Sequence, residues 1–110
     1  MQNDRRQGER VPINVLETRA YARWFASLRD KRARDRVLAR IRRLSLGNFG
    51  DARSVGGGVS ELRIDYGPGY RIYFTRRGAT LVLLLTAGDK SRQWADIARA
   101  RELAAQWRGD

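Results

Sequence analysis

Apolar and polar residues alternate along this chain with two different periods, and the places where the period changes mark its elements. From Val11 to Leu16 the alternation around Ile13, Asn14 and Val15 has a period of two, and Pro12 suits the start or an edge of a strand, so a first strand is expected. Thr18 can cap a helix, after which Tyr21, Trp24, Phe25 and Leu28 recur at i, i+3, i+4 and i+7, one apolar stripe facing a core. Beyond Arg29-Asp30 the helical period resumes from Lys31 to Leu46, with Ala33, Val37, Leu38, Ile41 and Leu44 on the buried face and Gly47 as the stop. Residues 47–58, rich in Gly, Ser, Asn and Asp, read as a connecting loop. Its glycine cluster is no phosphate loop, because no Lys-Ser/Thr follows and the next element is a strand.

A hairpin comes next. Val59–Tyr66 sets Leu62, Ile64 and Tyr66 on one face and Glu61, Arg63 and Asp65 on the other; Tyr70–Thr75 sets Tyr70, Ile72 and Phe74 against Arg71, Tyr73 and Thr75. Folding about Gly67-Pro68-Gly69 is expected to bring Asp65 opposite Arg71 and Arg63 opposite Tyr73, all four on the polar face. A turn at Arg76-Arg77-Gly78-Ala79 leads to Leu81–Leu85, a continuous apolar run typical of a strand covered on both faces. Ala87–Lys90 leaves that strand, Ser91 can cap, and Trp94, Ile97, Ala98, Ala100, Ala104 and Trp107 mark a last helix. The order is β-α-α-β-β-β-α: an α+β fold, with a small, mostly antiparallel sheet and the helices packed on one side. At 110 residues one domain over 11–110 is expected, preceded by a disordered extension over 1–10.

Charge adds direction to this picture. The chain carries 23 Lys+Arg against 12 Asp+Glu, a net charge of +11, and 21 of the 23 are Arg, whose planar fork pairs bidentately with phosphate or carboxylate. Such an excess attracts polyanions, foremost nucleic acid. On the second helix Arg32, Arg36, Arg40 and Arg43 share the face opposite the apolar one and, with Arg76 and Arg77 of the later turn, are the candidate RNA- or ribosome-binding cations. There is no Cys and no His, so a thiolate nucleophile and an imidazole base are excluded, and the reading calls for no metal and no cofactor. No apolar run approaches the roughly 20 residues of a membrane span, and the N-terminus lacks a signal-peptide core, so a cytoplasmic protein with no membrane partner is expected.

The run Ser60-Glu61-Leu62-Arg63-Ile64-Asp65-Tyr66-Gly67-Pro68-Gly69-Tyr70-Arg71-Ile72-Tyr73-Phe74, then Leu83-Leu84-Leu85, Gly88-Asp89-Lys90-Ser91, Gln93 and Asp96–Ala100, resembles the HigB-like addiction-module killer proteins of the RelE/ParE toxin superfamily. The similarity spans about residues 11–107. It implies a RelE-like fold and the toxin of a type II toxin-antitoxin system: a metal-independent, ribosome-dependent endoribonuclease, or mRNA interferase, that cleaves messenger RNA and inhibits translation. It implies as partners the ribosome, mRNA and a cognate antitoxin with a helix-turn-helix DNA-binding domain, the toxin-antitoxin complex in turn binding its operator DNA. Carried over by residue, Arg71 matches the arginine at the scissile phosphate, Arg63 a basic residue on the preceding strand, and Lys90 a cation after the last strand. Glu61 stands where a companion basic residue is found in RelE-type toxins, and the helical tyrosine of those toxins has no counterpart near Asp96.

Metal-free RNA cleavage requires deprotonation of the 2′-hydroxyl, stabilisation of the charged phosphorane and protonation of the leaving 5′-oxygen. Arg71 and Arg63 suit the second task, Lys90 the third, and Asp89 or Asp65 the first, while Tyr73 on the polar face is a stacking or proton-relay candidate. Two other functions fit the same charge: a ParE-like DNA gyrase inhibitor, and a non-catalytic RNA-binding module resting on the basic second helix.

Overall fold

A computed structural model describes residues 12–108. The extension 1–10, expected to be disordered, and Val11, expected to open the first strand, lie outside the described residues. The elements are β1 (Asn14–Glu17), α1 (Arg19–Ser27), α2 (Lys31–Ser45), β2 (Ala52–Gly56), β3 (Val59–Ile64), β4 (Tyr70–Arg77), β5 (Leu81–Asp89), a short 3-10 turn (Lys90–Arg92) and α3 (Gln93–Gln106). The strands form one sheet in the order β1-β5-β4-β3-β2, in which β1 runs parallel to β5 and every other pair is antiparallel. The α+β class and the mostly antiparallel sheet are as expected.

Local chemistry accounts for the helix starts. Thr18 Oγ1 accepts from the Tyr21 N–H at 3.1 Å and its hydroxyl donates to Leu85 O at 2.5 Å, so one residue caps α1 and pins it to β5. Asp30 caps α2 by accepting from the backbone N–H groups of Arg32 and Ala33.

Four expectations change. Residues 47–58 hold a strand, β2, whose Ala-Arg-Ser-Val-Gly sequence has little strand signal of its own and forms by pairing with the edge of β3. β5 continues past Leu85 to Asp89, with a bulge: Tyr73 pairs with Thr86 but Phe74 with Leu84, leaving Leu85 unpaired. The β3–β4 register is offset by two residues from the tight turn anticipated, so Arg63 pairs with Arg71 and Glu61 with Tyr73, and Asp65 belongs to a longer connection. Finally, the helices do not share one side. α1 and α2 pack Tyr21, Val37 and Leu44 onto Leu62, Ile64, Ile72, Phe74, Val82 and Leu84, while α3 packs Ile97, Ala100 and Ala104 onto the opposite face, against Val59, Tyr73, Leu83 and Leu85.

That second layer buries the face read from sequence as polar, and it turns Trp94 of α3 outward, 85% exposed, away from the core position its spacing suggested. Leu38 is likewise 53% exposed, because the buried line of α2 runs through Ala33, Val37 and Leu44 and Leu38 falls on its flank. Leu62→Ala is therefore expected to cost about 2–5 kcal/mol of unfolding free energy, and Leu38→Ala to stay within about 0.5 kcal/mol of wild type; urea denaturation followed by circular dichroism measures both.

Candidate functional site

Cross-strand partners in an antiparallel sheet point to the same face, so the register that pairs Arg63 with Arg71 and Glu61 with Tyr73 gathers all four side chains on the α3 side. α3 covers the inner half of this group and leaves the outer half open. Glu61 is fully buried, and donors from three other elements converge on it. Tyr73 Oη of β4 donates at 3.1 Å and Gln93 Nε2 of α3 at 2.9 Å, both to Oε2; Arg53 Nε of β2 donates to Oε1 at 3.3 Å, and Arg71 Nη1 lies 3.6 Å from Oε1. The sequence shows Glu61 on this face by alternation but gives no sign that Gln93, more than thirty residues on, completes its shell.

Tyr73 is corrected by this arrangement. Expected on an open polar face, it is buried beneath α3, and burial, with the Glu61 carboxylate beside it, pushes its phenol well above the usual tyrosine range. It does not reach solvent, so its ring is not available to stack on a base.

Outside α3 the sheet surface forms a groove of about 400 Å³ in which Arg63, Arg71 and Lys90 converge, bordered by Asp51, Asp65 and the Gly67–Gly69 connection. The Arg71 side chain is only 12% exposed, and its Nε is buried with no hydrogen-bond partner among the described residues; the same holds for Arg63 Nε. Arg63 Nη2 donates to Asp51 Oδ1 at 3.0 Å, and that hydrogen bond holds the Asp51 carboxyl below the usual range. Gly67 and Gly69 take positive φ, which lets the connection turn sharply beside Tyr70. Asp89, expected as a proton acceptor, caps the 3-10 turn: its Oδ1 accepts from the Ser91 N–H at 2.9 Å and from the Ser91 hydroxyl, and those hydrogen bonds lower its pKa. Both carboxylates are consequently poor bases.

The remaining cations are dispersed. Arg32 and Arg43 are exposed on α2; Arg36 stacks on Tyr66 with 4.6 Å from guanidinium carbon to ring centre; Arg40 turns inward and donates to Arg63 O at 2.6 Å. Arg76 and Arg77 lie at the far end of β4, about 20 Å along the strand from Arg71. There Arg76 covers Phe49, and Arg77 donates to Ala104 O at 2.7 Å and covers Trp107. Among the described residues no three His, Cys, Asp or Glu side chains gather to hold a metal ion, and no helix is long and apolar enough to cross a membrane.

The family model described as "Phage derived protein Gp49-like (DUF891)" matches residues 23–106, a span that contains the whole groove. A Haemophilus influenzae protein described as "Uncharacterized protein" is 46% identical over 96 residues, 87% of this chain and 97% of its own length.

Removing the shared acceptor with Glu61→Ala strands two guanidiniums, a phenol and an amide, and is expected to lower unfolding free energy by about 3–5 kcal/mol. Asp96 behaves oppositely. Burial raises its carboxyl above the usual aspartate value, partly offset by Arg92, so its charged form opposes folding above that raised value and the penalty fades as pH falls below it. Asp96→Asn should thus melt higher than wild type at pH 7, with the gain shrinking towards zero below about pH 4; thermal melts of both proteins across pH measure this.

Proposed function

The chain belongs to the phage-derived Gp49-like family, and from that premise we propose that it is the toxin of a toxin-antitoxin pair, an endoribonuclease that cleaves messenger RNA on the ribosome. The convergence of Arg63, Arg71 and Lys90 in one groove carries this reading. Like charges directly opposite on neighbouring strands are unfavourable unless an anion covers them, and a phosphodiester is such an anion. Asp51 and Glu61 each hold one nitrogen of an arginine, and both guanidiniums line the groove.

The chemistry follows from what each group can do. Arg71, anchored by Glu61, offers donors in a fixed direction to the non-bridging oxygens and stabilises the charge that develops on the phosphorane. Arg63 adds a second contact from the opposite strand, and Lys90, at the exposed start of the 3-10 turn, protonates the leaving 5′-oxygen. The 2′-hydroxyl proton passes to Asp89 or Asp65 of the connection. Asp89 is a weak base because of its capping bonds, so cleavage of free RNA is slow and the ribosome supplies the missing geometry by holding the message in line. Arg32 and Arg43 dock on ribosomal RNA. The cognate antitoxin carries a helix-turn-helix domain, the complex binds operator DNA, and the toxin works in the cytoplasm without metal or cofactor.

One observation favours a second reading, RNA binding without cleavage: Asp51 and Asp89, beside the groove, both have lowered pKa values. A reconstituted translation system separates the two. The expected outcome is message cut within the decoding site, with Arg71→Ala lowering the rate by about 10²–10³-fold. Message that stays intact while still bound overturns cleavage in favour of binding, and intact message with arrested DNA supercoiling overturns it in favour of gyrase inhibition.

A further inference from the structure

The arginine groove has two flanks, and they differ in charge. On the β5 side a cavity of about 500 Å³ shares Tyr70 with the groove and is lined by Asp30, Asp89 and Asp96 against Arg29 and Arg92. Three carboxylates make that side unfavourable for a phosphate backbone. The β2 side is cationic, and over it stands Trp94, at 85% the most exposed large apolar side chain among the described residues.

The placement of Trp94 follows from the period of α3. Gln93 points onto Glu61 of β3, and Arg101 leans over Gly56 and Gly57 at the end of β2, where it donates to Val55 O. Trp94 and Arg101 are seven residues apart, two turns along one flank of the helix, so both stand on the flank that faces β2. Helical side chains tilt towards the N-terminus, so the indole leans to the 3-10 turn that carries Lys90. Next to Glu61 on that flank is Arg53 of β2. Its Nε donates to Glu61 Oε1, the same oxygen that Arg71 Nη1 approaches from β4, so two guanidiniums meet across one atom. They differ in access: Arg71 is 12% exposed and recessed in the groove, whereas Arg53 is 57% exposed and open. One carboxylate shared by two guanidiniums leaves a positive charge over, and Asp51, two residues before Arg53, is already paired with Arg63.

An indole left in water among cations does nothing for the core, but its flat face suits a nucleobase, which stacks on an aromatic ring while its phosphate pairs with arginine. We propose that Trp94 is a stacking platform for single-stranded RNA: the strand whose phosphate lies between Arg63 and Arg71 crosses β3, sets its next phosphate on Arg53 and lays the attached base on the Trp94 ring. A duplex keeps its bases within the stack and cannot use such a platform, so the surface takes an unpaired strand. Every base has a stacking face, so no strong preference among the four is expected. The phosphate between Arg63 and Arg71 rests on the ribonuclease reading; the platform requires only an RNA strand.

The test uses the full chain and a 2′-O-methyl hexa-adenylate, which lacks the free hydroxyl that cleavage needs. Trp94→Ala is expected to weaken binding about tenfold at every salt concentration, the contribution of one stacked base, with Trp94→Tyr restoring most of it and the melting temperature of Trp94→Ala matching wild type. Arg53→Gln is expected to flatten the slope of log Kd against log salt by about 0.7, the share of one phosphate contact on a single strand. Arg23→Gln, on the exposed side of α1 across the sheet, is expected to leave that slope as in wild type. No binding by wild type, unchanged affinity in Trp94→Ala, or equal slopes for Arg53→Gln and Arg23→Gln each overturn the platform. In the translation assay, message cut by wild type together with a hexa-adenylate affinity that Trp94→Ala leaves unchanged overturns the platform alone. A Trp94-dependent affinity with the message left intact overturns the ribonuclease alone.

Discussion

Arg63 and Arg71 stand opposite each other on neighbouring strands, a repulsive pairing, and the sheet accommodates it around Glu61, which is buried beneath α3 with donors from β2, β4 and α3 turned onto it. Much of the molecule depends on that one carboxylate. Gln93 reaches it only if α3 begins where it does; Arg53 reaches it only if the edge strand β2 is paired; Tyr73 reaches it only if the β3–β4 register is the observed one. Burying a charge costs several kcal/mol and is rarely the most stabilising use of a core position. Here the burial fixes the direction in which Arg71 faces the groove, which a hydrophobic residue of the same volume would not.

Legibility in the sequence varied with how local each cause is. The stripe of Tyr21, Trp24, Phe25 and Leu28, the Thr18 cap and the strands flanking Pro68 follow from near neighbours along the chain, and all of them form, although the first strand ends at Ile64 and the second runs on to Arg77. β2 does not advertise itself, because Ala52–Gly56 becomes a strand through a partner and not through its own alternation. The fate of Tyr73 was hidden for a related reason. Alternation shows which residues share a face but not which helix will cover that face, and α3, ambiguous in its own periodicity, decides it. Of the residues singled out for the site, Arg63, Arg71 and Lys90 line one groove, Asp89 is occupied as a cap, and Arg76 and Arg77 are held elsewhere by aromatic rings.

Charge over the whole chain and charge near the groove tell different stories. A net +11 draws a polyanion from a distance. Close in, Asp51 and Asp65 border the groove and Asp30, Asp89 and Asp96 line the cavity beside it. Acids set among bases oppose indiscriminate clamping and leave few orientations in which a phosphate meets only cations. Arg36 on Tyr66 and Arg40 on the Arg63 carbonyl show that part of the excess charge is spent inside the fold.

The lone parallel pair of the sheet carries a consequence for how the molecule is made. β1, near the beginning of the chain, has no strand to join until β5 exists, and the hydroxyl of Thr18 meets the carbonyl of Leu85 across a separation of 67 residues. Contacts of this range form late, because the loop between them must close first. The buried carboxylate is completed across a shorter separation, 32 residues, by Gln93 of α3. The parallel pair is therefore the last part of the sheet to close, after the hairpins of β2 to β5 have formed from nearer neighbours.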